Sequence, residues 1–137
     1  MPDTLTTAER SERMSRIRGK HTKPEVVVRR LIHAMGYRYR LHRGDLPGTP
    51  DLVFSRRRKV IFVHGCFWHR HTDSGCRLAR LPKSRLDFWL GKLEGNRRRD
   101  EENEARLKAG GWGILTIWEC QMRNGQDLRD KIAEYLK

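Results

Sequence analysis

The stretch KVIFVHGCFWHRH, residues 59–71, runs from an apolar segment directly into histidines, a cysteine and aromatics. Its first part, KVIFV (59–63), is apolar on both faces, which is typical of a strand in the centre of a sheet. Residues 64–82 are rich in histidine, cysteine and glycine, which indicates an irregular loop. The stretch therefore predicts a central strand that ends at a functional site.

Helices are predicted on both sides of this strand. HTKPEVVVRRLIHAMG (21–36) and DLRDKIAEYL (127–136) have helical periodicity. Their inward-facing side chains are Val28, Leu31, Ile32, Met35, Leu128, Ile132, Tyr135 and Leu136. Residues 84–111 have a helical charge pattern, but Gly91 and Gly95 are expected to bend or divide that helix.

Two further strands complete the predicted sheet, DLVF (51–54) and WGILTIW (112–118). We expect an α/β fold in which one domain, residues 1–137, has a small mixed β-sheet flanked by helices. Residues 7–20 have a helical pattern with few apolar side chains. We therefore expect residues 1–20 to form an arm that becomes ordered when a partner binds.

The composition indicates a polyanionic partner. Thirty Lys and Arg against seventeen Asp and Glu give a formal net charge of +13 and a pI near 10.5. No apolar stretch approaches the roughly 20 residues that span a bilayer, and no signal peptide is visible. We expect a cytoplasmic protein, and a monomer because no exposed apolar face is predicted.

The cysteines indicate a metal site. An odd number of them, in a reducing compartment, does not form a closed set of disulfides. Together with one histidine they could make a closed structural zinc site, with Cys66, His71, Cys76 and Cys120 as ligands. In the alternative, Cys66 and Cys120 are small buried hydrophobes and Cys76 is a surface thiol.

The sequence also offers candidates for hydrolytic chemistry. Asp51 follows Pro50 and could hold Mg²⁺, while His64 and His69 could transfer protons in phosphodiester hydrolysis. The alternatives are an Asp that caps a turn and loop histidines bonded to the backbone. For Glu25, completing a capping box with Thr22 is the favoured explanation from spacing alone.

Several apolar side chains fall outside the predicted core stripes. Phe67 and Trp68 lie in the irregular loop, where rigid aromatics on a basic surface could stack on bases or wedge between base pairs. Phe88 and Trp89 could extend that surface, and ordinary core packing is the alternative for all of them. Met14 and Ile17 are either a second wedge, in the minor groove, or a weak helix face.

Five motifs resemble the very short patch repair DNA mismatch endonucleases. They are RSERMSRIRGKHTKPE (10–25), LPGTPD (46–51), VIFVHGCFWHRH (60–71), DFWLGKLEGNRRRD (87–100) and GWGILTIWEC (111–120). The resemblance implies a restriction-endonuclease-like fold and a bacterial, nucleoid-associated enzyme. It also implies Mg²⁺-dependent nicking of double-stranded DNA 5′ of the thymine in a T·G mismatch, in repair of deaminated 5-methylcytosine. Whether mismatch-repair proteins are recruited is left open.

The same resemblance implies roles for individual residues. Asp51 and the backbone carbonyl of Val63 would bind Mg²⁺. The catalytic residues would be His64, His69 as general base, Glu25, which assists, and Asp100, which orients or supports His64. The structural zinc would be held by Cys66, His71, Cys76 and Cys120. The DNA wedge would consist of Phe67, Trp68 and Trp89, with Met14 and Ile17 in the opposite groove.

The sequence departs from the wider nuclease superfamily, whose PD…(D/E)xK pattern supplies a second carboxylate and a lysine. Here Pro50-Asp51 is followed by Val63-His64-Gly65, so the histidines must substitute. The spacing from His71 to Cys76 is also longer than in relatives. Two alternative functions stay open: a zinc-stabilised DNA-binding protein without nuclease activity, and a nuclease of the same fold with another sequence context.

Overall fold

A computed structural model describes residues 22–69, 71, 76–81 and 83–137 of the chain. The predicted arm, residues 1–20, with Met14 and Ile17 in it, lies outside the described residues. The fold below is therefore that of the region from the first predicted helix onward.

A four-stranded mixed sheet forms the centre of the fold. Its strands are β1 (Arg40–Leu41), β2 (Leu52–Phe54), β3 (Lys59–His64) and β4 (Gly113–Trp118), in the order β1-β2-β3-β4. The β1–β2 and β2–β3 pairs are antiparallel and the β3–β4 pair is parallel. The predicted interior position of KVIFV is confirmed. The strand WGILTIW is only partly buried because β4 lies at the edge of the sheet.

Three α-helices flank the sheet, α1 (Lys23–Ala34), α2 (Leu86–Ala109) and α3 (Gly125–Leu136). Gly91 and Gly95 do not divide α2, since one helix runs through both positions, and the alternative of a bend stays a prediction. A glycine costs a helix about 1 kcal/mol relative to alanine. Burial of Leu93 and Leu107 on the same helix offsets that cost.

Hydrophobic residues on both faces of the sheet hold the helices in place, as the alternation of side chains along a strand requires. On one face, Ile61 and Val63 of β3 pack in a cluster to which α1 and α3 contribute the residues Val28, Ile32, Leu128, Ile132 and Leu136. On the other face, Val60 and Phe62 pack with Leu107 of α2. The predicted sheet with helices on both faces is confirmed. It places α1 and α2 on opposite sides of the end of β3.

No helix in the described part of the chain has the length and hydrophobicity that crossing a membrane requires.

Two adjacent valines on α1 offer a test of this core. Val28 is fully buried, whereas Val27 is 44% exposed. We expect Val28→Ala to lower the free energy of unfolding by about 1.5–3 kcal/mol more than Val27→Ala does, because it removes two buried methyl groups. Both substitutions change helix propensity equally, so that effect cancels. Denaturant unfolding of both variants measures the difference, and equal losses would contradict the assigned packing.

Candidate active site and metal clusters

A cleft of about 800 Å³ opens where β2, β3, α1 and α2 meet. It brings together most residues that the sequence singled out for hydrolysis or for contact with DNA. Those lining it are Glu25, Asp51, Val63, His64, Phe67, Trp68, His69 and Asp100. Catalytic candidates and aromatic candidates therefore share one cleft.

Asp51 lies just before β2, beside the end of β3. Its Oδ2 accepts a hydrogen bond from the backbone N–H of Val63 at 2.7 Å. This bond joins the two residues that the resemblance assigned to Mg²⁺. Burial raises the pKa of Asp51 to about 7, against the opposing effect of that hydrogen bond, and the neighbouring Glu25 carboxylate also raises it. Without a cation, an ionised Asp51 is therefore unfavourable in this position.

Glu25 lies in the first turn of α1 and is only 1% exposed. One half of the predicted capping box is present, since Thr22 Oγ1 accepts the N–H of Glu25 at 3.4 Å. The Glu25 carboxylate also reaches into the cleft, where its Oε2 lies 2.9 Å from His42 Nε2 and 3.4 Å from Arg29 Nη1. The backbone of Glu25 is thus capped by Thr22, while its carboxylate lies among the catalytic candidates; its completion of the capping box stays a prediction.

His42 is a cleft residue that the sequence analysis missed. Its Nε2 lies 3.9 Å from Asp51 Oδ1, and its backbone N–H donates to the carbonyl of Asp51 at 3.3 Å. The antiparallel register that pairs Leu41 with Leu52 places His42 opposite Asp51. The register of this hairpin could have predicted the position of His42, but only if the start of the short strand β1 had been known from the sequence.

His64 and His69 form a stacked pair in the cleft, with ring centroids 3.7 Å apart and planes 4° from parallel. His69 Nδ1 lies 2.6 Å from Asp100 Oδ2, on α2. The hydrogen bond of Asp100 is therefore with His69, so Asp100 orients His69 directly. The Asp100 carboxylate also lies close to His64, where it opposes the lowering of the His64 pKa by burial and by His69. The expectation that Asp100 supports His64 stays a prediction.

His64 ends β3 and is 5% exposed. Its burial, followed by the proximity of His69, lowers its pKa to about 3, so the free protein holds it neutral. Its Nδ1 is buried and has no hydrogen-bond partner among the described residues. A buried polar atom in that state is costly, which indicates that the cleft normally contains a further polar group.

The predicted zinc ligands lie together at the same edge of the sheet. One ligand atom from each of Cys66, His71, Cys76 and Cys120 lies within 4.8 Å of the others. Cys66 Sγ accepts the backbone N–H of Cys120 at 3.4 Å, and all three cysteines are free thiols. Burial raises the pKa of Cys66 to about 12, which disfavours its thiolate unless a cation compensates the charge. This Cys3His cluster fits a tetrahedral zinc ion.

Trp118, the last residue of β4, connects the Cys3His cluster with the cleft. Its ring stacks on His71, with centroids 4.1 Å apart and planes 11° from parallel. It also contacts His64 edge-on at 5.2 Å. No role for Trp118 follows from the sequence alone, because only the parallel pairing of β3 and β4 reveals both neighbours.

Phe67, Trp68, Phe88 and Trp89 form an aromatic cluster at one side of the cleft. Trp89 contacts Phe67, Trp68 and Phe88 with ring centroids 5.4, 5.9 and 5.3 Å apart. The alternative of core packing does not hold for Phe88, which is 48% exposed. Lys92 Nζ lies about 6 Å from the ring centroids of Trp68 and Phe88. The aromatic cluster is therefore a partly exposed apolar surface with positive charge beside it.

Behind the aromatic cluster, Asn96 fixes the loop that carries Trp68. Asn96 is buried on α2, its Nδ2 donates to the carbonyl of Trp68 at 3.0 Å, and its Oδ1 accepts from Arg99. A buried amide with both ends bonded is a rigid link. The position of Trp68 is thus fixed by its backbone as well as by its ring contacts.

Comparison with known proteins identifies the family of the chain. The family described as "DNA mismatch endonuclease Vsr" matches residues 2–75. The chain is 55% identical over 136 residues to the type II nicking enzyme V.XorIIP of Xanthomonas oryzae pv. oryzae, covering 99% of this chain and 98% of that protein.

Two further relatives have lower identity but similar coverage. The type II nicking enzyme V.NmeAIP of Neisseria meningitidis is 41% identical, covering 100% of this chain and 96% of that protein. The DNA mismatch endonuclease Vsr of Escherichia coli is 39% identical, covering 96% of this chain and 82% of that protein. These matches agree with the cleft and the Cys3His cluster, and the chain belongs to the Vsr family of DNA nicking endonucleases.

Proposed function

We propose that this endonuclease nicks double-stranded DNA on the 5′ side of the thymine in a T·G mismatch, in very short patch repair of deaminated 5-methylcytosine. The observation that carries the proposal is the shared cleft. The aromatic cluster borders the same cavity as the paired histidines and Asp51. A side chain inserted into the duplex there would bring a neighbouring phosphate to the catalytic candidates.

Insertion of the aromatic cluster itself would favour a mismatch. Separating stacked base pairs costs a few kcal/mol, and a mismatched pair costs least. Stacking of each exposed base on an aromatic ring returns about 1–3 kcal/mol. The net charge of +13 attracts duplex DNA irrespective of sequence. Charge would thus bind the duplex, and the cost of insertion would select the damaged site.

The cleft residues divide into groups that hold charge and groups that move protons. The Asp100 carboxylate fixes the Nδ1–H tautomer of His69, which leaves Nε2 able to take a proton from water. The neutral His64 ring lies parallel to the His69 ring and holds it in this orientation. We assign His69 as general base, with His64 and Glu25 supporting it.

Asp51 and the backbone carbonyl of Val63 would hold Mg²⁺. The unfavourable ionisation of Asp51 and the unpartnered Nδ1 of His64 are both consistent with a hydrated cation in the cleft. When bound, Mg²⁺ stabilises negative charge on the phosphate oxygens. The carboxylate of Asp51 stays positioned throughout by its bond from the Val63 N–H.

The Cys3His cluster would bind zinc in a structural role. All three thiols are used, which leaves no open position for a substrate. Such an ion would tie the loop after β3 to the segment after β4. Phe67 and Trp68 lie between the ligands Cys66 and His71 in this loop, next to the proposed catalytic residue His69, so the ion would also fix their position.

A nuclease with another recognition context remains the second candidate, because several relatives are named as type II nicking enzymes. The non-enzymatic alternative has no such support. The two enzymatic candidates predict the same cleft and differ only in the duplex that is cut.

The proposed function predicts one nick per mismatched duplex. End-labelled duplexes with T·G, T·A or other mismatches in varied contexts should be incubated with Mg²⁺. We expect cleavage only 5′ of the mismatched thymine. Asp51→Asn should lower the rate on the order of a thousandfold, because several kcal/mol of charge stabilisation are lost.

The matched control for that experiment is Asp130→Asn, which changes an exposed carboxylate on α3. It should leave the nicking rate unchanged. Equal cutting of T·A and T·G duplexes would overturn the mismatch requirement. Undiminished cutting by Asp51→Asn would overturn the role of Asp51.

Asp51 should also reduce stability in the absence of a divalent cation. Its folded-state pKa of about 7 exceeds the ordinary 3.8, so its contribution to stability is lost as the pH rises through 7. In buffer without added Mg²⁺, we expect Asp51→Asn to raise the free energy of unfolding at pH 8.5 by about 1–3 kcal/mol more than at pH 5.5. Urea unfolding at both pH values measures this, with Asp130→Asn as control. An equal effect of Asp51→Asn at the two pH values, or a more favourable effect at pH 5.5, would contradict the prediction.

The zinc proposal predicts one zinc ion per purified chain. Native mass spectrometry should detect it in the wild type and in His33→Gln, which changes an exposed histidine on α1. His71→Gln should lose the ion and have a lower Tm, because the loop after β3 is no longer tied to the sheet. A folded wild-type protein that contains no zinc and is unaffected by added zinc would contradict this.

A further inference from the structure

Three side chains from separate segments converge on one point of the cleft. Glu25 comes from the first turn of α1, His42 follows β1, and Asp51 precedes β2. One ligand atom of each lies within 4.8 Å of the other two. The side chains of Glu25, His42 and Asp51 are 2%, 7% and 20% exposed. The group is therefore a compact, largely buried set of two carboxylates and one imidazole.

The distances within this group suit a single cation. His42 Nε2 lies 2.9 Å from Glu25 Oε2 and 3.9 Å from Asp51 Oδ1. A cation with nitrogen and oxygen ligands at about 2.0–2.2 Å keeps neighbouring ligands roughly 3–3.5 Å apart. Small side-chain movements would bring all three ligands to one ion.

An independent feature of the same cleft also points to an ion. His64 Nδ1 is buried without a hydrogen-bond partner in the described part of the chain, and His64 lines the cleft with Glu25, His42 and Asp51. Water bound to a cation would supply that partner, because coordinated water is a strong hydrogen-bond donor.

We propose that His42 is a direct ligand of the cation in the cleft, and that Glu25, His42 and Asp51 form a site preferring Mn²⁺ or Co²⁺ over Mg²⁺. The inference rests on the proposed function only in placing a divalent cation at Asp51. Imidazole suits transition metals, whereas Mg²⁺ prefers oxygen ligands and water. One nitrogen in the ligand set therefore shifts the preference toward the transition series.

The same site accounts for the missing second carboxylate of the nuclease pattern. Val63 and Gly65 stand where β3 would supply that carboxylate and the lysine. Glu25 supplies a carboxylate from α1 instead, and the hairpin between β1 and β2 adds the imidazole. The backbone of His42 has φ +48°, a conformation that residues other than glycine rarely adopt.

The test uses Mn²⁺ as the probe, on the zinc-loaded full chain without DNA. Titration followed by the electron paramagnetic resonance of free Mn²⁺ gives its Kd, and competition gives the Kd for Mg²⁺. Electron spin-echo envelope modulation then detects nitrogen bonded to the Mn²⁺. The variants are His42→Gln, His64→Gln and the exposed control His33→Gln.

We expect nitrogen modulation in the wild type, His64→Gln and His33→Gln, and its loss in His42→Gln. The Kd for Mn²⁺ should rise in His42→Gln on the order of tenfold or more, because changing a residue at a metal site typically weakens metal binding by at least that factor. The Kd for Mg²⁺ should rise less, so the preference for Mn²⁺ falls. His33→Gln should match the wild type in both constants.

Wild-type Mn²⁺ without nitrogen modulation, or modulation that persists in His42→Gln, would overturn the inference. If His42→Gln does not fold, His42→Asn replaces it under the same criteria. Failure of the proposed function gives a different result. A protein that binds Mn²⁺ through His42 but cuts T·A and T·G duplexes alike overturns only the proposed mismatch specificity. Conversely, T·G nicking with Mg²⁺ in a protein without the nitrogen signal overturns only the role of His42.

Discussion

Parallel pairing of β3 with β4 brings together chain segments that no local structure could connect. Opposite residues in this pair, His64 and Trp118, end their strands at one edge of the sheet. Two positions further on, Cys66 and Cys120 meet through a hydrogen bond between backbone and sulfur. A one-residue shift of the register would turn each side chain to the other face. The cleft and the Cys3His cluster therefore both depend on this pairing.

The cleft concentrates groups that are unfavourable in a folded protein without ligands. An acid with a raised pKa, a neutral buried histidine and an unpartnered ring nitrogen lie within one cavity. In the rest of the described part of the chain, apolar side chains cover both faces of the sheet. If the cleft is the active site, as proposed above, its unfavourable groups lie where charge would develop during the reaction, which is a common trade of stability for function.

The sequence predicted the parts of the fold that depend on local pattern. The central strand, the terminal helix and the grouping of cysteines with His71 follow from apolar runs and residue types. Three features needed long-range information: the continuity of α2, the bond between Asp100 and His69, and the position of His42. Each depends on packing or register between segments that are distant in sequence, which propensity and spacing do not encode.

Trp118 serves two neighbours at once, because its ring stacks on His71 of the Cys3His cluster and makes an edge contact with His64 of the cleft. Any replacement has to suit both, whereas Phe88 at the outer side of the aromatic cluster has open solvent beside it. We therefore expect evolutionary divergence among enzymes of this kind to be unequal. Exposed ring positions are free to drift as the recognised DNA changes, while the indole at the strand edge is constrained twice and should change last.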